Sequence, residues 1–298
     1  MSLDLDKRQR AMLLEIGVRV WQPLPPVAAT QIGSAIDNIA NIARPERAST
    51  RPDAETPLAA PARTATVLAP ARHPAPLTRL QGVATMDWPA LQTAVAGCRA
   101  CGLCESRKNT VFGVGPAAPA GAAPQVDWLI VGEAPSENED LAGEPFEGQA
   151  GKLLDNMLQA MGLQRGNTGA DLPNSVSQRV FITNVIKCRP PANRNPESAE
   201  VTQCAPYLQR QIALLQPRMI LALGRFAAQS LLQDSVADVQ KIPLGKLRGQ
   251  VFGYLGVPVV VSYHPAYLLR SMADKAKAWD DLCLALDILK RANQGQVT

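Results

Sequence analysis

Aromatic residues are scarce in this chain of 298 residues: Phe, Trp and Tyr together make up 4% of it. The interior must therefore rest on Ala, Leu and Val, and an apolar content of 46% is enough for a sizeable core. Charge excess is also slight, at +4 from 30 Lys and Arg against 26 Asp and Glu. Residues 1–83 hold ten basic and seven acidic groups (+3), which leaves twenty against nineteen (+1) from residue 84 onward. That balance excludes a histone-like polycation and leaves any nucleic-acid contact to local clusters. An export signal is not apparent, because residues 1–10 carry both signs of charge and Glu15 and Arg19 interrupt the apolar run that follows. Residues 251–269 contain no Lys, Arg, Asp or Glu, yet Pro258, His264, Pro265 and two glycines make them a buried strand and loop, not a membrane span. The expectation is a soluble, cytoplasmic, monomeric protein.

Composition divides the chain into three. Residues 3–21 form an amphipathic pattern with Leu3, Met12, Leu13, Ile16 and Val20 on one side, which predicts a helical segment over 1–22. Ten of the 25 prolines then fall between Pro23 and Pro76, among Ala, Thr and Arg. Such a stretch buries too little to offset its ordering entropy, so 23–85 reads as a largely disordered linker, with a short helix at 31–42. The folded part, 86–298, alternates β-rich runs at 127–132, 180–185, 219–223 and 257–262 with helical patterns at 148–162, 197–215, 225–233 and 272–292. Continuous apolar strands alternating with helices predict an α/β protein, a mainly parallel sheet covered on both faces.

Ligands of such sheets bind beyond the carboxyl ends of the strands. Those positions carry Gly132, Glu133, Ala134 and Pro135; then Asn184; then Gly224 and Arg225; then Tyr263, His264 and Pro265. A carboxylate, an amide and an imidazole thus converge on one edge. The chain has two histidines and His73 lies in the linker, so His264 is the only imidazole available to the folded part. Phe146, between Pro145 and Gly148, is an aromatic on a turn, and an exposed ring there suits stacking on a flat ligand.

Six cysteines without an export signal point away from a disulfide framework. Cys98, Cys101 and Cys104 recur at three-residue spacing, and Cys188 and Cys204 follow later in the chain. Four thiolates from two such segments can hold a tetrahedral zinc ion or an iron–sulfur cluster, and spacing does not choose between them. Cys283 sits in an apolar helical pattern and reads as core. Lys187, Arg189 and Arg194, then Lys241, Lys246 and Arg248, then Arg270, Lys275 and Lys277 form basic clusters near the same edge, the pattern of a phosphate-binding rim.

Taken together these residues resemble the family 4 uracil-DNA glycosylases. The likeness rests on Gly132 to Ser136, Glu139, Asp140, Gly143, Pro145, Phe146, Gly148, Ala150 and Gly151. It continues through Thr183 to Pro191 with Asn195 and Pro196, and ends on His264 to Leu268. It covers about residues 90–292. Ser136 stands where the family usually has glycine, and Cys104 is a surplus thiol. The resemblance implies a three-layer α/β/α sandwich around a four-stranded parallel sheet. It also implies a 4Fe–4S cluster on Cys98, Cys101, Cys188 and Cys204.

The activity so implied is removal of uracil from single- or double-stranded DNA. Phe146 would stack on the base, with Asn184 on its polar edge and Gly132, Ala134 and Pro135 in the pocket wall. Glu133 and His264 would be the catalytic pair. Lys187, Arg189, Lys246, Arg248 and Arg270 would meet DNA phosphates, and Leu268 would either wedge into the vacated stack or pack beneath the loop. The competing reading is a lesion-binding protein of the same fold that holds the base without releasing it or traps the sugar covalently. The N-terminal extension is either a tether for a replication or repair partner or a passive tail.

Overall fold

The computed structural model describes residues 82–117, 121–166 and 179–293. The helical segment expected over 1–22 and most of the expected linker lie outside these residues. Val83 is buried against Leu91, Val95 and Tyr207, so the folded part reaches back into the stretch read as linker.

Helix α1 (Trp88–Ala96) is capped by Asp87, whose side chain accepts from the Ala90 amide at 2.9 Å. The sheet begins with β1 (Trp128–Gly132), followed by α2 (Glu137–Ala142) and α3 (Gln149–Ala160). Strands β2 (Gln164–Arg165) and β3 (Arg179–Asn184) come next, then α4 (Ser198–Leu215), β4 (Met219–Leu223) and α5 (Arg225–Leu232). A hairpin of β5 (Val251–Tyr254) and β6 (Val257–Ser262), the turn helix α6 (Pro265–Leu268) and the long α7 (Asp274–Asn293) complete the order.

The strand order is β2-β3-β1-β4-β6-β5. All pairs are parallel except β5 with β6. The expected four-stranded parallel sheet is its centre, and a strand is added at each edge. The two additions left weak signals. Strand β2 has two residues, and β5 joins β6 through Leu255 and Gly256, both at positive φ (50° and 80°). Such two-residue turns are normally announced by Asn-Gly or Asp-Gly, and a leucine there gives no warning.

Alternation along the strands separates two cores. Trp128, Ile130, Val180, Ile182, Leu221 and Val260 face α3 and α7, where Leu154, Leu158, Trp279 and Leu282 meet them. Leu129, Val131, Phe181, Ile220, Ala222 and Val261 face the other way, onto Leu208, Ile212, Ala228 and Leu231 of α4 and α5. Period-two side chains with helices on both faces give the three layers, and each fully buried Leu, Ile or Val contributes about 1.5–3 kcal/mol. Pairing in register sets Gly132 beside Asn184 and Leu223 beside Ser262, so the four central strands end along one line. Everything the sequence marked as chemically unusual follows that line.

Candidate functional site

The loop after β1 is organised by a carboxylate. Glu139, in the first turn of α2, accepts from the amides of Ser136 (2.9 Å) and Phe146 (2.7 Å) and from the Asn184 side-chain nitrogen (3.3 Å). One buried group therefore ties together the start of the loop, its aromatic and the amide at the end of β3. Burial raises its pKa, while those three hydrogen bonds oppose the rise. Gly143, at φ 78°, ends α2 and sends the chain back toward the sheet. Arg165 then clamps the turn through the Pro145 and Phe146 carbonyls (2.6 and 3.1 Å). Phe146 itself has φ 56°, a conformation that this set of bonds sustains. A side chain on Gly151 would collide with the Phe146 carbonyl, which accounts for the glycine there.

The Phe146 ring is 2% exposed, contrary to the exposed ring expected from its turn. It lies over Gly132 and stacks on His264, with centroids 5.3 Å apart and planes inclined by 21°. His264 caps α6, its Nδ1 accepting from the Ala266 amide at 3.2 Å. Burial, and then the Arg270 charge, depress its pKa to about 4, so the imidazole is neutral near pH 7. A neutral ring whose Nδ1 is an acceptor carries its proton on Nε2, which is left to donate.

Glu133 is half-buried, and no hydrogen bond or ion pair meets its carboxylate among the described residues. Burial raises its pKa to about 7. It lines a groove of about 780 Å³ with Ala134, Pro135, Arg194, Arg225, Tyr263, His264 and Arg270. Asn184 is 1% exposed and buried beneath Gly132 and Phe146. The structure therefore brings together Gly132, Glu133, Ala134, Pro135, Phe146, Asn184 and His264, as expected.

The basic residues divide. Arg270 and Lys246 are exposed. Arg189 is half-buried, held by Asn193 at 2.8 Å and Glu137 at 3.5 Å. Arg248 is not a free cation: it pairs with Asp281 at 2.7 Å and covers the Tyr263 ring at 4.4 Å. Lys187 is 1% exposed, with its ammonium on Thr183 Oγ1 (2.6 Å) and the Asn184 carbonyl (2.7 Å), so it cannot reach a phosphate on the surface. Burial lowers its pKa to about 7. Leu268 is 1% exposed and belongs to the core over α3 and α7, which removes it as a wedge. Sequence reading missed Glu139 as the organiser, although it lay inside the quoted motif, and gave Arg225 no phosphate role.

Cys98, Cys101, Cys104, Cys188 and Cys204 line one narrow cavity together with Arg107 and Lys187. Arg107 donates to Cys188 Sγ at 3.2 Å. Burial pushes the thiols of Cys188 and Cys204 up to about 11 and about 12, values at which they stay protonated until a cation joins them. Among the described residues no three metal-binding side chains converge closely enough for a single ion. Zinc would need its sulfurs at about 2.3 Å from one centre. A cubane cluster spreads its thiolates over four irons and suits a ring of cysteines around a cavity better. Cys283 packs against the core on α7, as expected.

Comparison with known proteins agrees with this geometry. A family model described as the uracil DNA glycosylase superfamily matches residues 119–283. The chain is 38% identical over 203 residues to a type-4 uracil-DNA glycosylase of Pyrobaculum aerophilum, covering 67% of this chain and 93% of that protein. It is 40% identical over 179 residues to the type-4 enzyme of Archaeoglobus fulgidus (59% of this chain, 79% of that one). To that of Thermotoga maritima it is 36% identical over 186 residues (61% and 83%). With the strand-end loops, the Phe146–His264 pair and the thiol-lined cavity all accounted for, the chain belongs to the type-4 family of uracil-DNA glycosylases.

Proposed function

We propose that the protein flips uracil out of DNA, hydrolyses its N-glycosidic bond and leaves an abasic site. The observation that carries this reading is the placement of a neutral His264, its Nε2–H unengaged by Ala266, against the Phe146 ring, which lies with Asn184 beside Gly132. Taking a base out of the stack costs a few kcal/mol, which contacts to its faces and edges must return. Phe146 provides a flat face. The Asn184 amide has an acceptor for N3–H and a donor for O4. Its contact with Glu139 fixes which end is which, so cytosine, with the opposite pattern on that edge, meets donor against donor.

As the C1′–N1 bond breaks, its electron pair stays on N1 and negative charge spreads to O2. His264 donates to O2 and stabilises that charge. A water oxygen bonds to C1′ as the sugar cation is quenched, and the proton it loses ends on the uracil anion, which leaves as neutral uracil. Glu133 faces the groove from which that water arrives, and its ionised form either places the water or stabilises the cationic sugar. Arg225, Lys246 and Arg270 supply phosphate contacts along the groove and its surroundings, whereas Arg194 is held by Glu200 at 2.6 Å.

The cysteine cavity fits a 4Fe–4S cluster on Cys98, Cys101, Cys188 and Cys204, leaving Cys104 over. Bound there, the cluster would tie the segment after α1 to α4 and the end of β3. Thiols kept reduced for that purpose support a cytoplasmic location. Among the described residues no helix is long and apolar enough to cross a membrane.

The test is base release from an oligonucleotide with a single uracil, scored by alkaline cleavage, for the natural protein and His264→Ala. Release by the former and loss in the latter, with DNA binding retained, is the expected result. Binding without release by the natural protein would favour a lesion-holding role.

A further inference from the structure

Lys187 is the least expected residue in the interior. Its side chain is 1% exposed, and among the described residues no carboxylate lies within ion-pair distance of its ammonium. A buried ammonium is costly unless its protons are placed, so its partners reveal what it is for. Two protons are accounted for: one on Thr183 Oγ1 at 2.6 Å, the other on the Asn184 carbonyl at 2.7 Å. Thr183 Oγ1 in turn donates to the Phe112 carbonyl at 2.8 Å. Beyond Lys187 the chain enters Cys188, and the lysine lines the cavity of thiols. The last two residues of β3 are therefore gripped from the cysteine side by one lysine, while the Asn184 amide is gripped from the pocket side by Glu139.

We infer that Lys187 is a positioning residue for uracil recognition: it fixes the main chain of Asn184, and with it the angle at which the amide meets the base. This rests on the reading of Asn184 as the uracil-binding amide. Backbone bonds from Val185 to the Gly132 carbonyl (3.0 Å) and from Ile186 to the Glu133 carbonyl (3.2 Å) hold the turn to the catalytic loop, but leave the Asn184 carbonyl to Lys187. The lysine thus lines the thiol cavity and holds the residue at the base pocket.

The experiment compares Lys187→Met, an unbranched apolar replacement, with Asn184→Ala and Thr183→Val, all purified with their metal content measured as iron per chain. Each is assayed for uracil release, for inhibition by free uracil and for affinity to an abasic-site duplex, which has no base to recognise. Lys187→Met should lower kcat/KM for uracil release and weaken free-uracil inhibition, each by about tenfold, the scale of a hydrogen bond from a charged group. Abasic-site affinity and iron content should stay within twofold. Thr183→Val, which removes one partner and keeps the shape, should move the same two quantities in the same direction by less, and it decides the matter if Lys187→Met does not fold. Unchanged uracil release and inhibition in the lysine variant, beside a large loss in Asn184→Ala, would overturn the inference alone. Parallel loss of iron and abasic-site binding would reduce Lys187 to a structural role. No effect of Asn184→Ala would overturn the uracil reading on which the inference stands.

Discussion

The Phe146 ring and the His264 imidazole lie nearly parallel, 5.3 Å between centroids, although 118 residues of chain separate them. The pair closes the pocket over Gly132 and Asn184. The two rings proposed to receive the base and to assist its departure are in contact with each other. Substitutions on either side of this pair yield separable outcomes.

Gly132→Ala should abolish base recognition without unfolding the sheet. The added Cβ would overlap Asn184 Oδ1 and stand 2.7 Å from Phe146 Cζ, so the two groups proposed to hold the base would both be displaced. Uracil release should fall by roughly 100-fold or more, since misplacement of about 1 Å costs that much. Overpacking should reduce stability by about 1–3 kcal/mol. Single-turnover release and denaturant unfolding measure the two effects.

Glu139→Gln replaces one carboxylate oxygen by a donor that faces another donor. One of the Ser136 amide, the Phe146 amide or the Asn184 nitrogen then loses its acceptor, at about 1–3 kcal/mol for a buried group. Both stability and uracil release should drop, with discrimination between uracil and cytosine relaxed because the Asn184 amide is free to turn over. A variant that retains full discrimination would show that the orientation of the amide is set elsewhere.

Glu133 should contribute a rising limb to the pH dependence. Its pKa stands near 7 while that of His264 stands near 4, so the imidazole is neutral throughout the usual assay range. If the ionised carboxylate is the active form, kcat/KM should rise with pH through about 7, and Glu133→Gln should flatten that limb along with the rate. Stability runs the other way. Because the folded pKa lies above the unfolded value of 4.5, the folded state binds more protons between the two, and stability falls as pH rises through about 7. Glu133→Gln should therefore be more stable than the natural protein at pH 8, by roughly 1–2 kcal/mol after allowing for solvent screening, and equally stable at pH 4. Urea unfolding at the two pH values checks it.

Cys188→Ser should lose iron, visible absorption and thermal stability together, since Cys188 is buried in the wall of the thiol cavity. Cys104→Ser should keep all three. Metal analysis and absorption spectra distinguish them, and stoichiometric zinc in the natural protein would overturn the cluster assignment.

The four central strands and the helices over 149–160, 198–215, 225–232 and 274–293 were legible in the chain to within one or two residues. Continuous apolar runs can be buried on both faces only as central parallel strands, and amphipathic helices can cover them only from the sides. The hairpin of β5 was not legible, because Leu255 adopts a conformation its side chain disfavours and only the assembled sheet compensates it. Phe146 was expected to be exposed, and the choice left open for Leu268 between wedge and packing fell to packing, for a related reason. Glycine and proline around a residue indicate a turn, but not whether another element lies on top of it.

Residue chemistry and strand ends, then, are properties of the sequence itself. They determined that an amide, a carboxylate and an imidazole would gather at one edge of a parallel sheet. What the tertiary structure decided is which groups face solvent and which face each other. Lys187 and Arg248 read as surface cations and are inward partners of Thr183 and Asp281; Glu139 read as part of a motif and is the group that sets the loop. Local sequence governs backbone conformation over a few residues, whereas burial and hydrogen-bond partnership depend on elements dozens of residues away, and these decide protonation, tautomer and charge at the site.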